Sequence, residues 1–477
     1  MELFFFCVAA LIAGYFIYGT FVDRVFGPNP ARAVPSQALR DGVDYEPMGN
    51  KRVYLIQLLN IAGLGPIFGP ILGALYGPDA LIWIVIGCIF GGGVHDYFSG
   101  MLSVRANGAS VPNVVGQHLG NGFKQFMNVF AIILLLLVGV VFVLGPARLL
   151  GSMTGMAAMA WVGIIFAYYF LATILPVNKI IGRLYPVFGA LLAFMSIGLT
   201  VAFCFSDQFD FYPVMTLENT HPTDLPMWPL MFITIACGAI SGFHATQSPL
   251  MARCIRNERA GKQIFYGAMI GEGVIALVWA TLGLSFYQNA DALNAALAEG
   301  GPGYVVHEVS TTLLGGGIGG ILAILGVVIL PITSGDTAFR SARLIIAEYV
   351  KLPQQLVVKR LLVAVPLFAV GIAVSQADFA VIWRYFGWAN QTLAAVMLWA
   401  AAAYLLRERK LHWIATIPAA FMTAVTVSFL AYAEIGFGLS IDIATAIGIG
   451  GAVVALVAFF SLVRPKAGVS LGKAAKA

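Results

Sequence analysis

Asn60-Ile61-Ala62-Gly63-Leu64-Gly65-Pro66-Ile67-Phe68-Gly69-Pro70 interrupts an apolar stretch, 53–76, that is long enough to cross a bilayer. Three glycines and two prolines stand between positions 63 and 70. Proline removes an amide donor and clashes with the preceding turn, so an unbroken helix is not expected here. In hydrocarbon, irregular backbone survives only where it is buried in protein or lines a water-filled cavity. A second stretch repeats the device: Gly238-Ala239-Ile240-Ser241-Gly242-Phe243-His244-Ala245-Thr246-Gln247-Ser248-Pro249, inside 228–250. Either alone reads equally well as a kink packed by its neighbours. Together they point further, because the second lies five apolar spans after the first, the offset of an inverted five-helix repeat. Interrupted helices at matching positions of two halves mark the binding site of a secondary transporter.

The span count rests on composition. Of 477 residues, 60% are hydrophobic and only 10% charged, against about 25% charged in a soluble domain; mean hydropathy is +0.89. Those values exclude a soluble enzyme, a disordered chain and a peripheral protein. A transmembrane barrel would show alternating segments of about ten residues, whereas the apolar runs here are long and unbroken. Thirteen candidate spans fall near 2–22, 53–76, 80–102, 125–147, 156–176, 184–205, 228–250, 262–287, 314–336, 357–374, 379–405, 411–433 and 441–463. The expected class is all-α, a polytopic membrane protein forming one domain over 1–463 with a short tail at 464–477. Spans 2–11 (53–405) form the five-plus-five core, with span 1 and the spans in 411–463 peripheral.

Charge placement sets the orientation, since Lys and Arg are retained on the cytoplasmic side. With the N-terminus outside and the C-terminus in the cytoplasm, 25 of the 27 basic residues fall in cytoplasmic segments, and only Arg148 and Arg384 fall outside. The loops 206–227 and 288–313 hold acids and no Lys or Arg, in agreement. The N-terminus is apolar from Leu3, has Glu2 and lacks a basic leader region, so it reads as a first span and not a removable signal. Basic residues spread over short loops leave no nucleic-acid surface. Cys7, Cys88, Cys204, Cys237 and Cys254 show no paired spacing and read as small buried residues. No phosphate-binding loop, metal-ligand spacing or assignable Ser/His/Asp set is present, which disfavours an ATP-driven pump or a membrane hydrolase; no cofactor is expected.

The matching stretches Gly65-Pro66-Ile67-Phe68-Gly69-Pro70, Gly91-Gly92-Gly93-Val94-His95-Asp96-Tyr97-Phe98-Ser99, Pro331-Ile332-Thr333-Ser334-Gly335-Asp336-Thr337-Ala338-Phe339-Arg340 and Tyr385-Phe386-Gly387-Trp388-Ala389-Asn390-Gln391-Thr392 resemble the carbon starvation protein A (CstA) family, short form. They run in family order across most of the chain. The resemblance implies a fold similar to the amino acid–polyamine–cation superfamily, with a leucine-transporter-like core in the plasma (inner) membrane. It also implies uptake of pyruvate or of peptides driven by protons. This chain is much shorter than the longest members, so the resemblance does not carry the substrate over.

Ionisable groups inside spans are costly and are functional candidates by default: His95, Asp96, His244, Glu272 and Asp336. His95-Asp96 reads as a proton relay or as a structural pair joining two helices. Glu272, in Gly271-Glu272-Gly273, reads as a proton carrier or as a partner for backbone freed by a break. His244 lies inside the second break and reads as a substrate or gating contact. Thr333 and Ser334, with unwound carbonyls of span 2, would suit a sodium ion; alternatively Asp336 pairs Arg340 at i,i+4 as an inner gate with no ion. Arg148 and Arg384 read either as attractors of an anionic substrate through an outer vestibule or as side chains snorkelling to headgroups. The expected substrate contacts are Asn60, Gly63, Gly65, Gly69, Ser241, Gly242, His244, Gln247, Arg384, Asn390 and Gln391. The glycines are expected at positive φ or at points of close approach. Half-helix N-termini at the breaks would offer N–H groups to a carboxylate. The leading expectation is a proton-coupled importer of a small organic anion. Short-peptide transport is the alternative within the fold, and a nutrient sensor or channel is the alternative outside it.

Overall fold

A computed structural model describes residues 2–175, 177–212 and 218–465. Among these there is no β-strand, and every regular element is a helix. The first stretch is α1 (Glu2–Phe16) and α2 (Tyr18–Phe26), followed by a connecting segment holding the short α3 (Pro35–Ala38). The second is α4 (Asn50–Ile61) and α5 (Gly65–Gly73), the third α6 (Asp79–Ile86) and α7 (Gly93–Arg105). After α8 (Val111–Leu119) come α9 (Asn121–Thr154), α10 (Ala158–Ile174) and α11 (Val177–Cys204). The seventh stretch is divided into α12 (Met227–Thr234), α13 (Ala236–Ala239) and α14 (Gly242–Ala252). Then follow α15 (Gly267–Phe286), α16 (Ala290–Leu314), α17 (Ile318–Tyr349), α18 (Val357–Val374), α19 (Phe379–Arg407), α20 (Trp413–Tyr432) and α21 (Ile441–Leu462). The tail expected at 464–477 lies outside the described residues from 466 onward.

Ten helices among the described residues are long and apolar enough to cross a membrane, or eleven with α4 and α5 taken as one bent span. Each of the thirteen expected stretches carries helix, but two miss that measure. Helix α10 has 17 residues, and α12, α13 and α14 have 8, 4 and 11. Hydropathy reports apolar content and is blind to whether the helix is continuous.

The first break is narrower than its sequence suggests. Only 62–64 leave the helix, and α4 meets α5 at 49°. Pro66 falls in the first turn of α5, where its missing N–H has no intrahelical acceptor to lose. The second break is narrower still: Ile240 and Ser241 are extended (φ −159° and −141°), and Gly242 already begins α14. None of Gly63, Gly65, Gly69 or Gly242 has positive φ, so that part of the expectation is corrected. What these positions require is space. A Cβ on Gly65 would lie 2.2 Å from Cys237 Cβ, and one on Gly242 would lie 2.2 Å from the Asn390 carbonyl oxygen.

The repeat is marked a second time by features that hydropathy does not report. A π-helical turn joins α6 to α7 at Gly87–Gly92, and another precedes α15 at Lys262–Tyr266. These also lie five stretches apart, and the two meet: Tyr266 Oη donates to the Ile89 carbonyl at 2.8 Å. The core gathers around the breaks. Helix α15 packs on α5 and α4, α14 on α7 and α19, and α17 on α9, α11 and α4. Helices α20 and α21 pack on one another, with α20 reaching the core through α19.

Candidate functional site

The two breaks face each other. Gly65, at the start of α5, abuts Cys237 of α13. Asn390 of α19 closes the second break from the other side. Its Oδ1 accepts from the Phe243 N–H at 2.6 Å and from Ser241 Oγ at 3.1 Å, and its Nδ2 donates to Cys237 Sγ at 3.2 Å. A side-chain oxygen on a first-turn amide is a helix cap. Asn390 therefore caps the N-terminus of α14 with a neutral amide oxygen from within the chain. In the first break, Asn60 Oδ1 accepts from Tyr185 Oη at 3.1 Å, and Gln57 Nε2 donates to Ser248 Oγ at 3.4 Å. Asn60, Ser241, Gln247, Asn390 and Gln391 are all fully buried. Asn60 Nδ2, Gln57 Oε1, Gln247 Oε1 and both polar atoms of Gln391 have no hydrogen-bond partner. Buried polar groups are nearly always satisfied, so each such group calls for a reason. These unpartnered groups are concentrated around the two breaks.

The ionisable residues of three helices form one chain. Asp96 Oδ1 lies 2.8 Å from His95 Nδ1, and its Oδ2 lies 2.9 Å from His244 Nδ1. On the far side of the same ring, His244 Nε2 lies 3.1 Å from Glu272 Oε2, an ion-pair distance at which the two are not aligned as a hydrogen bond. All four side chains are fully buried. The sequence marks the pair His95-Asp96, His244 and Glu272 as three separate candidates, and their contiguity belongs to the tertiary structure. Gly91, Gly92 and Gly93 explain the approach of α7: a Cβ on Gly92 would lie 2.4 Å from the Ala239 carbonyl of α13.

On α17, Thr333 Oγ1 and Ser334 Oγ both reach the Leu59 carbonyl, at 3.0 and 3.1 Å. The carbonyls expected beside these hydroxyls were unwound ones, whereas Leu59 lies in the last turn of α4 and its carbonyl accepts from both hydroxyls. Asp336 behaves otherwise than expected. Its Oδ2 accepts from Tyr168 Oη at 2.8 Å, while Arg340 turns to Asp44 at 3.3 Å and to the carbonyls of Ala172 and Leu175. The i,i+4 spacing permits an Asp336–Arg340 pair, but α10 supplies the carbonyls and the 27–49 segment supplies a second carboxylate on the other side. Asp44 also lies 3.8 Å from Arg343. Burial works against its charge, but Arg343, Arg340, Arg253 and Arg360 outweigh that and hold its carboxyl below the usual range. Asp44, Tyr168, Tyr185 and Leu59 had no signal in the sequence: a polar loop acid, two span tyrosines and a backbone carbonyl are ordinary until folded.

Arg148 of α9 and Arg384 of α19 line one cavity of about 790 Å³. Its walls include Trp383 and Phe379 of α19, the kink of α16 at Gly300 and Gly301, and Tyr304 and His307. Phe68 of α5 also lines it, one residue before Gly69. The Arg148 guanidinium lies 5.0 Å over the Phe379 ring. Both guanidiniums thus belong to a concave site that reaches the first broken helix.

The family model for carbon starvation protein CstA matches residues 1–160, 146–309 and 292–429. An uncharacterised membrane protein of Haemophilus influenzae is 51% identical over 349 residues, covering 62% of this chain and 94% of that one. The peptide transporter CstA of Escherichia coli is 24% identical, covering 90% of this chain and 81% of its own. The pyruvate/proton symporter BtsT of the same organism is 25% identical over 57% of this chain and 47% of its own length. Among solved structures, a nucleobase-cation-symport-1 family transporter in a closed conformation matches with a TM-score of 0.56 at 15% identity, covering 91% of this chain and 95% of that one. A Na+-coupled sialic acid symporter matches with a TM-score of 0.56 at 12% identity, covering 96% of this chain and 99% of that one. These likenesses establish a leucine-transporter-like fold.

Proposed function

The chain belongs to the carbon starvation protein CstA family, and on that premise we propose that it is a secondary active importer of a small organic anion, pyruvate-like, coupled to protons. The observation that carries this reading is the vestibule lined by both Arg148 and Arg384, with one acid, Asp378, and with Phe68 of the first broken helix. Arginine presents a planar fork that matches a carboxylate bidentately. The two cations would concentrate an anion at the mouth, and the buried amides near the breaks would receive it deeper in. Alternating access would rock the helices bearing the breaks against the rest.

The distribution of basic residues supports an outside N-terminus and a cytoplasmic C-terminus in the plasma (inner) membrane, which turns the vestibule outward. The same volume favours a second reading. A cavity of about 790 Å³ accommodates a short peptide, which also exposes a carboxylate, as readily as a three-carbon acid. Proton coupling is supported by the buried acid–histidine chain beside the second break. Sodium is the alternative, supported by the hydroxyls of Thr333 and Ser334 on the Leu59 carbonyl.

Uptake of labelled pyruvate into proteoliposomes tests the proposal, with a proton gradient, with a sodium gradient and with short peptides as competitors. Accumulation driven by protons and resistant to peptides supports the first reading. Competition by peptides moves the substrate to the second, and dependence on sodium moves the coupling ion. Failure of every small carboxylate and peptide to accumulate would overturn the import reading.

A further inference from the structure

The four buried groups on α7, α14 and α15 are more than neighbours. Their contacts are end to end: His95 Nδ1 to Asp96 Oδ1, Asp96 Oδ2 to His244 Nδ1, and His244 Nε2 to Glu272 Oε2. His244 therefore stands between two carboxylates held by two different helices. A neutral imidazole carries one N–H and can donate to only one of them, whereas an imidazolium can donate to both. No Lys or Arg is paired with Asp96 or Glu272 among the described residues. The charge within the chain must be balanced by its own protons, because an uncompensated buried charge is costly. The thiols of Cys88 and Cys237 face Asp96 and Glu272. On the elements packed against α15, Lys262 of the π-helical turn is held by Thr20 and the Tyr15 ring.

The location gives the chain a mechanical consequence. His244 is the third residue of α14, the half-helix that starts at the second break. Its ring is the link between that half-helix and the two continuous helices α7 and α15. Other ties near this end of α14 are neutral: the Asn390 cap on the Phe243 amide and the Ser341 hydroxyl on the Thr246 carbonyl.

We propose that His95, Asp96, His244 and Glu272 act as one proton-carrying unit whose occupancy sets the position of half-helix α14, and so of the second break. This deepens the importer reading and rests on it for the identity of the driven solute. The transfer is a sequence of simple exchanges. A proton on Glu272 passes to the lone pair of His244 Nε2, leaving a carboxylate and an imidazolium. The Nδ1 proton then passes to Asp96 Oδ2, and from Asp96 a proton passes to His95 Nδ1. One proton enters at Glu272 and one leaves from His95, with no covalent bond to carbon made or broken. With a proton on the ring, α14 is held to both helices. When the unit has lost that proton, one link is gone and the half-helix is free to shift.

Two measurements on the full chain in lipid test the unit. The first needs no substrate: infrared difference spectra across a pH titration follow the protonated-carboxyl band that Glu272→Gln removes. Interacting sites titrate as a pair and not singly, so His244→Gln and Asp96→Asn should each move the midpoint of that band by about one pH unit or more, a tenfold change in proton affinity. A midpoint unmoved by both substitutions overturns the proposal. The second compares gradient-driven accumulation of labelled pyruvate with its exchange at equal concentrations on the two sides. Glu272→Gln should reduce accumulation at least tenfold more than it reduces exchange, and Glu272→Asp should restore part of the accumulation. Equal losses in both modes would overturn the proposal by reducing Glu272 to a structural role. If the unaltered protein moves no carboxylate at all, the importer reading falls, and the infrared titration still decides whether the four groups share their protons.

Discussion

Arg340 Nη1 lies 3.3 Å from Asp44 Oδ1, a contact spanning 296 residues of chain and nearly free of solvent at both ends. Asp44 sits in the segment between the first two membrane stretches, and Arg340 lies past the middle of α17. This ion pair pins a loop across the end of the bundle opposite the vestibule, where Arg253 and Glu348 pair at 2.7 Å beside it.

Asp44→Asn should therefore destabilise the protein. Removing one partner of a buried pair costs about 3–5 kcal/mol, since Arg340 and Arg343 would keep their charge without its counterpart. The Asp44 carboxyl is held below its usual range in the folded state, so its contribution is fully present above the unfolded value, about 3.9, and is lost as pH falls through the lower folded value. Thermal unfolding in detergent should show a large gap between the variant and the parent at neutral pH, closing only well into the acid range. A gap that is constant down to strong acid would contradict the pairing.

Gly65→Ala and Gly242→Ala separate close packing from backbone freedom. Overpacking typically costs about 1–3 kcal/mol. The added methyl at 242 meets main-chain atoms, Asn390 O at 2.2 Å and Ala394 N at 2.6 Å, which cannot turn aside, so this variant should lose the most stability. At 65 the obstacle is the Cys237 side chain, so Cys237→Gly in the same chain should recover most of the lost stability. Absence of any recovery would show that Gly65 serves something other than space.

Arg148→Ala and Arg384→Ala should each raise the KM for a carboxylate substrate at least tenfold, about 1.4 kcal/mol, with a smaller effect on the maximal rate. Raising the salt concentration should narrow the difference, because exposed charges are screened. An unchanged KM in both variants would move anion recognition out of the vestibule.

Orientation is open to direct labelling. A cysteine replacing the exposed Asn219 should react with an impermeant thiol reagent on intact cells, and one replacing the exposed Gln355 only after permeabilisation. The opposite pattern would invert the protein in its membrane.

The class of protein and the position of its breaks were legible in the chain itself. Apolar content and proline–glycine placement act locally, so 60–70 and 238–249 announced interruptions wherever the helices finally packed. Span continuity was less legible: Pro66 proved helical because a proline in a first turn loses no hydrogen bond, and all of 242–249 lies within α14, with Pro249 inside it. His95, Asp96, His244 and Glu272 also stood out as candidates, since a buried ionisable group is costly whatever its partners. What the sequence could not determine was who meets whom. Asp336 takes Tyr168 and Arg340 takes Asp44, although the helical spacing allows these two to pair, because α10 and the 27–49 segment offer competing partners at those points. Asn390 caps α14 across 147 residues, and Arg148 joins Arg384 in one cavity. Pairings of this kind depend on distances between helices, which are set by how glycines and side chains interlock after the chain has folded. Only the tertiary structure decides them.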